Sequence, residues 1–175
     1  MYRDTRMVNW CCHLRTVLSD VEVDTVELQG RTLMELPGRS APVELGVLHR
    51  FAYPVADSPV NERIIVATTR LETMLGDAAV AVHPEDTRFK HLHGGAFVVH
   101  PFSGKRLPIV LDATLVDPAM GTGAVKVTPA HDFNDYECAQ RHGLPIEPLI
   151  RPDGTLTVAA GPSYSGTDLA KMIIF

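Results

Sequence analysis

Disulfide chemistry is the first thing this chain lacks. Its three cysteines, Cys11, Cys12 and Cys138, form no framework, because two are adjacent and adjacent residues rarely bridge each other. They read as free thiols in a reducing compartment. Long apolar runs are missing too: nothing approaches the roughly 18 residues of a spanning helix, and MYRDTRMVNW has no apolar signal-peptide core. An intracellular home is expected, cytoplasmic with a mitochondrial or dual one left open, and no membrane partner. Positive charge is scarce, with 16 Lys and Arg against 21 Asp and Glu. A net charge of −5 argues against a protein that coats nucleic acid, whose affinity grows from many cationic contacts to phosphate. Any nucleic-acid contact should be small and local.

Familiar reaction motifs are absent as well. SGK at Ser103–Lys105 ends like a phosphate loop, but the leading glycine of that motif falls at Val99, so a hairpin turn is the better reading. Zinc is not indicated, since Cys138 and His142 make only one i,i+4 pair and Cys11, Cys12 and His13 lie far away in sequence. No G-x-S-x-G elbow presents a serine nucleophile. No metal and no covalent intermediate are expected.

What is present is an ordinary globular composition, 45% hydrophobic and 21% charged, in 175 residues, a length that suits one core and leaves little for a second. Strand signals dominate it. They run over 20–28, 43–55, 63–69, 78–82, 96–100, 105–111 and 123–128, at the spacing of a barrel or sandwich. Helical signals are fewer: a brief turn at 70–75, a segment opened by Pro84, and HDFNDYECAQRH, stopped by Gly143 and Pro145. Helices are expected at the periphery.

Two stretches concentrate polar chemistry. In GAVKVT, strand alternation sends Val125 and Val127 to one face and Lys126 with Thr128 to the other. The helix that follows carries Asp132 and Asp135 at i,i+3, on one side of its first turn. Asp132 as a cap, with Asp135 at the positive end of the helix dipole, is an equal reading. The second stretch, VATTRLETMLGD, leaves a strand into a turn bearing Thr68, Thr69, Arg70, Glu72 and Thr73. A capping box alone would explain it, with Thr68 or Thr69 as cap and Glu72 completing it.

TTRLETMLGD followed some fifty residues later by GTGAVKVTPAHDFNDYE, with RHGLP behind it, resembles the editing domain (connective polypeptide 1) inserted into valyl-tRNA synthetase. KVTPAHDxND is similar to the valine version, whereas the isoleucine and leucine versions share the GTG and the last aspartate. VNWCCHLRTVLSDVEV resembles the segment entering the insertion, and GTDLAKMIIF the one leaving it. The resemblance divides the chain into a connecting segment over 1–20, an editing domain over 21–165 and a return segment over 166–175. Leu71 departs from the proline the family often has, which removes no chemical group.

The resemblance implies a mainly β fold with a closed β-barrel core and a few peripheral helices. It also implies hydrolysis of the ester joining threonine to the 3′ end of tRNA(Val). A hydrophobic synthetic pocket rejects an added hydroxyl only about 100-fold, a value that comes from this family's own threonine–valine problem. A second site that reads the hydroxyl is then required. Carried over, Asp135 holds the α-ammonium, while Lys126, Asp132, Thr73 and Thr128 address the side-chain hydroxyl. Arg70 sits near the ester or the terminal nucleotide, Thr68 and Thr69 line the pocket, and His131 either orients water or packs against the barrel. Lys126, Asp132, Asp135 and Arg70 are thus the catalytic candidates. Thr68, Thr69, Thr73, Thr128, His131 and Asp135 are the substrate-binding ones.

A positioned water helped by the substrate's ribose hydroxyl replaces any protein nucleophile, and hydrolysis needs no cofactor. ATP belongs to the synthetic domain, which is not in this chain, and the expected partners are the tRNA 3′ end and the rest of a parent synthetase. The isolated domain is expected to be monomeric, with Trp10, Cys11 and Cys12 partly exposed. Three rival readings are a module that grips the tRNA 3′ end without cleaving it, the editing domain of an isoleucyl- or leucyl-type synthetase, and a metal-dependent hydrolase using His131, Asp132 and Asp135.

Overall fold

The computed structural model describes residues 6–35 and 41–168. Parts of the connecting and return segments, residues 1–5 and 169–175, lie outside them. Among the described residues, β1 (Asn9–Cys11) pairs with β2 (Thr16–Leu18), β3 (Thr32–Met34) with β4 (Val43–Leu45), and β5 (His49–Pro54) with β6 (Arg63–Thr68), all antiparallel. Four more strands, β7 (Ala79–Val82), β8 (Phe97–Val99), β9 (Arg106–Leu111) and β10 (Ala124–Val127), form one sheet in the order β10, β7, β9, β8. Its β7–β9 pair is parallel and the others are antiparallel. The α-helix α1 (Phe133–His142) follows β10.

The AVAV run of β7 has no polar alternation because both of its faces are covered. Val80 and Val82 enter a core with Tyr53, Ile64 and Val66 of the β5–β6 hairpin, whereas Ala79 and Ala81 enter a second one with Val116, Val127 and Cys138. β10 obeys the same period of two. Ala124 belongs to the first core, Val125 and Val127 to the second, so Lys126 shares the side that faces the hairpin.

The mainly β class with few helices is what the structure shows, but the closed barrel is corrected: no sheet closes on itself among the described residues. β6 lies alongside β10 without a ladder, and the other side is joined by a single bridge, Val55 to Val98, beside the Ala56 N–H bonded to the Phe97 carbonyl at 2.7 Å. The ladder is therefore interrupted between β6 and β10 and reduced to one bridge beyond β5, which leaves the ring open.

Three further expectations change. No strand runs over 20–28; a 3-10 turn at Asp20–Glu22 is followed by irregular chain. Its alternating valines have no sheet to face, Val21 and Val26 being exposed. The run 43–55 is split at Gly46, which adopts φ 75° against the Gly30 backbone. Beyond Pro84 only a 3-10 turn, Lys90–Leu92, forms. The strands β1, β2 and β3 were not anticipated. Trp10 of β1 donates its indole N–H to the Pro152 carbonyl at 3.0 Å while remaining 41% exposed.

α1 begins and ends on side chains that the sequence names. Asp132 Oδ1 accepts from the Asn134 and Asp135 amides at 2.9 and 3.2 Å, and Gly143 closes the helix at φ 63°. Gly143→Ala is therefore expected to lower stability by about 1 kcal/mol, because a Cβ strains that backbone conformation. Chemical denaturation checks it, and an unchanged midpoint would speak against the cap.

Candidate active site

Lys126 is a charge on an otherwise apolar strand, and its surroundings explain why it is tolerated. The 3-10 turn Leu71–Gly76 leaves β6 and returns Thr73 and Asp77 to the end of the first core. Thr73 is fixed there by its own turn, its amide and hydroxyl both bonding to the Arg70 carbonyl, at 3.3 and 3.0 Å. The Asp77 amide bonds to the Met74 carbonyl at 3.1 Å. Gly76 packs closely, since a Cβ there would lie 3.1 Å from Leu149 and 3.3 Å from the Thr128 methyl, tighter than ordinary contact. Sheet and turn thus meet closely enough to share hydrogen bonds.

The ammonium of Lys126 lies 2.8 Å from Thr73 Oγ1, 2.6 Å from Thr128 Oγ1 and 3.4 Å from Asp77 Oδ1. Thr128 donates its hydroxyl to the same Asp77 oxygen at 2.7 Å, and Tyr53 donates to Asp77 Oδ2 at 2.6 Å. Every one of these residues is buried. Burial raises the Asp77 carboxyl above its usual range, opposed by the Lys126 charge and the hydroxyls of Tyr53 and Thr128. Tyr53 is pushed higher still by burial and by Asp77, so its phenol stays neutral and donates. His100 lies alongside, 3.9 Å from Asp77 Oδ2. Its Nε2 bonds to the Met74 carbonyl at 2.9 Å, and its Nδ1 accepts from the Phe102 and Ser103 amides at 3.2 and 3.0 Å. That last pair of bonds makes SGK the turn expected of it.

Asp135 comes up from the first turn of α1. Its Oδ2 accepts the Thr128 amide at 2.8 Å, and Oδ1 takes no hydrogen bond among the described residues. Burial above all, with a smaller push from Asp132, raises this carboxyl to about 6. Thr128 therefore joins two carboxylates, through its amide to Asp135 and through its hydroxyl to Asp77.

Arg70 ties the two sequence stretches together. Its guanidinium bonds to the His131 carbonyl at 2.6 Å and lies 3.3 Å from Glu72 and 3.7 Å from Asp132, half exposed. His131 itself acts as a strut, Nε2 accepting the Leu149 amide at 2.9 Å. Burial, then Arg70 and Lys126, lower its imidazole to about 4, so it stands neutral near pH 7. Thr68 accepts the Arg70 amide at 3.1 Å, and Thr69 is exposed at the outer edge. The capping box read into this turn is not formed: Arg70 is the N-cap residue and makes no side-chain cap. Lys126, Thr73, Thr128 and Asp135 thus share one buried hydrogen-bonded cluster, the floor of the candidate site, and Arg70 links it through Thr73 to His131, Asp132 and Thr68. A floor of this kind offers oxygen acceptors and a carboxylate to a small amino-bearing ligand, and exposed cationic and hydroxyl groups to whatever lies outside.

Sequence reasoning missed Asp77, Tyr53 and His100. One signal was available, because a lysine committed to a strand face that packs on a core requires a buried carboxylate. Asp77, two residues before AVAV, is the acid so placed. Sequence reasoning also left Cys138 and His142 without a third partner. Asp112 supplies one, the three offering ligand atoms within 4.8 Å of one another. Arg141 also bonds to Asp112 Oδ2 at 2.8 and 3.0 Å, and His142 to the same oxygen at 3.0 Å, so that carboxylate oxygen is already shared by two side chains. Burial and Asp112 push the Cys138 thiol up to about 12, which makes it an inert core residue.

Residues 85–168 match the profile of a family described as leucyl-tRNA synthetase, editing domain. The mitochondrial valine–tRNA ligase 1 of Arabidopsis thaliana is 52% identical over 95% of this chain and 15% of that protein. The human valine–tRNA ligase is 57% identical over 95% of this chain and 13% of its own length. The chain thus spans about a seventh of the length of these relatives. Among solved structures, a chain from the ternary complex of Agrobacterium radiobacter K84 agnB2 LeuRS with tRNA and LeuAMS aligns over 69% of this chain and 16% of its own, at TM-score 0.49 and 23% identity.

Proposed function

Since this chain belongs to the valyl-tRNA synthetase family and corresponds to its editing domain, we propose that it hydrolyses the ester of threonine wrongly joined to the 3′ end of tRNA(Val). One observation carries the reading: Thr128 ties a carboxylate suited to an ammonium to a hydroxyl-rich floor, through its amide to Asp135 and its hydroxyl to Asp77. Asp135 Oδ1 receives the α-ammonium in a charge-assisted hydrogen bond. Thr73, Thr128 and Lys126 meet the side chain, and Asp132 stands beside them at the start of α1. Arg70, half exposed and reaching across to His131, faces the ester and the terminal nucleotide, with Thr68 and Thr69 at the same edge. The attacking group is a water helped by the ribose hydroxyl, and the step takes no cofactor.

Discrimination is negative. Valine binds through the same ammonium contact but brings a methyl to polar groups that are then left unpaired, at about 1–3 kcal/mol. Release of threonine from Thr-tRNA(Val), with Val-tRNA(Val) alongside, tests the proposal; equal rates would sink it. The chain acts as a monomer, and ligation of valine with ATP belongs to the rest of a parent synthetase. The cytoplasmic assignment is part of the same proposal. No helix among the described residues is long and apolar enough to cross a membrane, and the Arabidopsis relative carries a mitochondrial name.

A pH profile follows from Asp135. The carboxylate form holds the ammonium, so kcat/KM is expected to be half-maximal near pH 6 and to fall about tenfold per unit below that. His131, lowered to about 4, contributes nothing in this window. Single-turnover deacylation between pH 5 and pH 7.5 checks it, and a flat profile would remove Asp135 from ammonium binding.

A further inference from the structure

We propose that Asp77 fixes the direction of the protons on the pocket floor, so that Thr73 and Thr128 present only acceptors and the misplaced side chain is read as a hydrogen-bond donor. The inference rests on the editing reading above and deepens it. An ammonium has three protons and accepts none, and those of Lys126 are directed at Thr73 Oγ1, Thr128 Oγ1 and Asp77 Oδ1. Both threonine oxygens therefore act as acceptors toward the lysine. Each hydroxyl owns one proton, and both are committed elsewhere: Thr73 gives its own to the Arg70 carbonyl and Thr128 gives its own to Asp77. The phenol of Tyr53 goes to the other oxygen of Asp77, a carboxylate that only accepts. Among the described residues, and apart from the Asp135 Oδ1 assigned to the ammonium, the capacity left on the floor is one acceptor lone pair on each threonine.

Asp77 is the origin of this order. Its Oδ1 draws the Thr128 proton inward and holds the lysine close, and its side chain is fully buried, so it acts through its neighbours. It is a positioning residue. A substrate β-hydroxyl donates its proton to a threonine lone pair and is satisfied, while any group that can only accept meets lone pair with lone pair.

The test uses the native chain and tRNA(Val) carrying threonine, 2-aminobutyrate or 2-amino-3-fluorobutyrate. Fluorine matches the hydroxyl in size and activates the ester carbonyl inductively at least as strongly, but it has no proton to give. Threonine is expected to be released at least about tenfold faster than the fluorinated residue, which should resemble 2-aminobutyrate. Equal release of threonine and its fluorinated isostere would overturn the acceptor floor while leaving the editing reading intact. Release of none of the three would overturn that reading and this one together.

Asp77→Asn adds the variant arm. Its amide brings two protons to the place where only acceptance was possible, so the threonine-to-fluorine ratio is expected to fall toward one. A merely structural Asp77 would slow all three esters in parallel and keep the ratio, and that result would remove Asp77 from the proposal. Should the variant fail to fold, the native-chain comparison decides alone.

Discussion

Asp77→Ala is expected to cost the fold about 3–5 kcal/mol, the loss that follows when a buried ion pair is broken by removing one partner. Lys126 has its carboxylate partner at 3.4 Å and is itself buried, so the variant leaves a buried charge without its counter-charge, and one ammonium proton and the Thr128 and Tyr53 hydroxyl protons with nothing to receive them. Losses of that size approach half the stability of an ordinary domain. The pair is nonetheless weak support for stability as such, because replacing both members by apolar groups of similar shape is often neutral. The double substitution Asp77→Ala with Lys126→Met is accordingly expected to recover most of the loss and none of the threonine release. Urea midpoints followed by circular dichroism measure both steps. A loss below about 1 kcal/mol for the single variant would mean that the lysine finds another partner or sheds its proton.

Asp135→Asn is expected to abolish deacylation, by about 100-fold or more, and to stabilise the fold. The folded-state carboxyl is raised from 3.8 to about 6, chiefly by burial. A raised carboxyl contributes stability that is complete below about pH 4 and is lost as pH rises through about 6, because the folded state then ionises a group that burial disfavours. At neutral pH the charged Asp135 therefore costs on the order of 2–3 kcal/mol. Asparagine keeps an oxygen for the Thr128 amide and carries no charge to desolvate. The native chain should lose melting temperature between pH 4 and pH 6.5, and the variant should hold its own across that window. A variant that melts lower than the native chain at pH 7.5 would show that the Thr128 contact requires the charged oxygen. The two variants separate the roles of the acids, since one carboxylate stabilises the core and the other is retained at the expense of it.

Much of this was legible in the residues, and the boundary between what was and was not is physical. Val125 and Val127 opposite Lys126 and Thr128 follow from a period of two, which local chain geometry enforces on any strand. The cap by Asp132 and the stop at Gly143 are equally local. Asp77 lay in full view within TTRLETMLGD, but its meaning depends on Tyr53 and Lys126, 24 and 49 residues away. Long-range pairing leaves no periodic trace. The 20–28 alternation failed for the complementary reason, since a pattern fit for a strand forms one only where a partner edge exists. Barrel closure failed on the pairing of β6 with β10, strands far apart in sequence whose missing ladder no local pattern announces.

The pairing of β10 with β7, Lys126 opposite Val80 and Val127 opposite Ala79, has a consequence for folding. Slipping β10 by one residue would turn its side chains to opposite faces, placing the ammonium among Ala79, Ala81, Val116 and Cys138, where Asp112 is already held by Arg141 and His142. Apolar strands of alanine and valine are otherwise permissive of such slips. The charge makes the misaligned sheet prohibitively costly and the aligned one unique, so the lysine that is proposed to detect a wrong amino acid also rejects a wrong register of the chain that carries it.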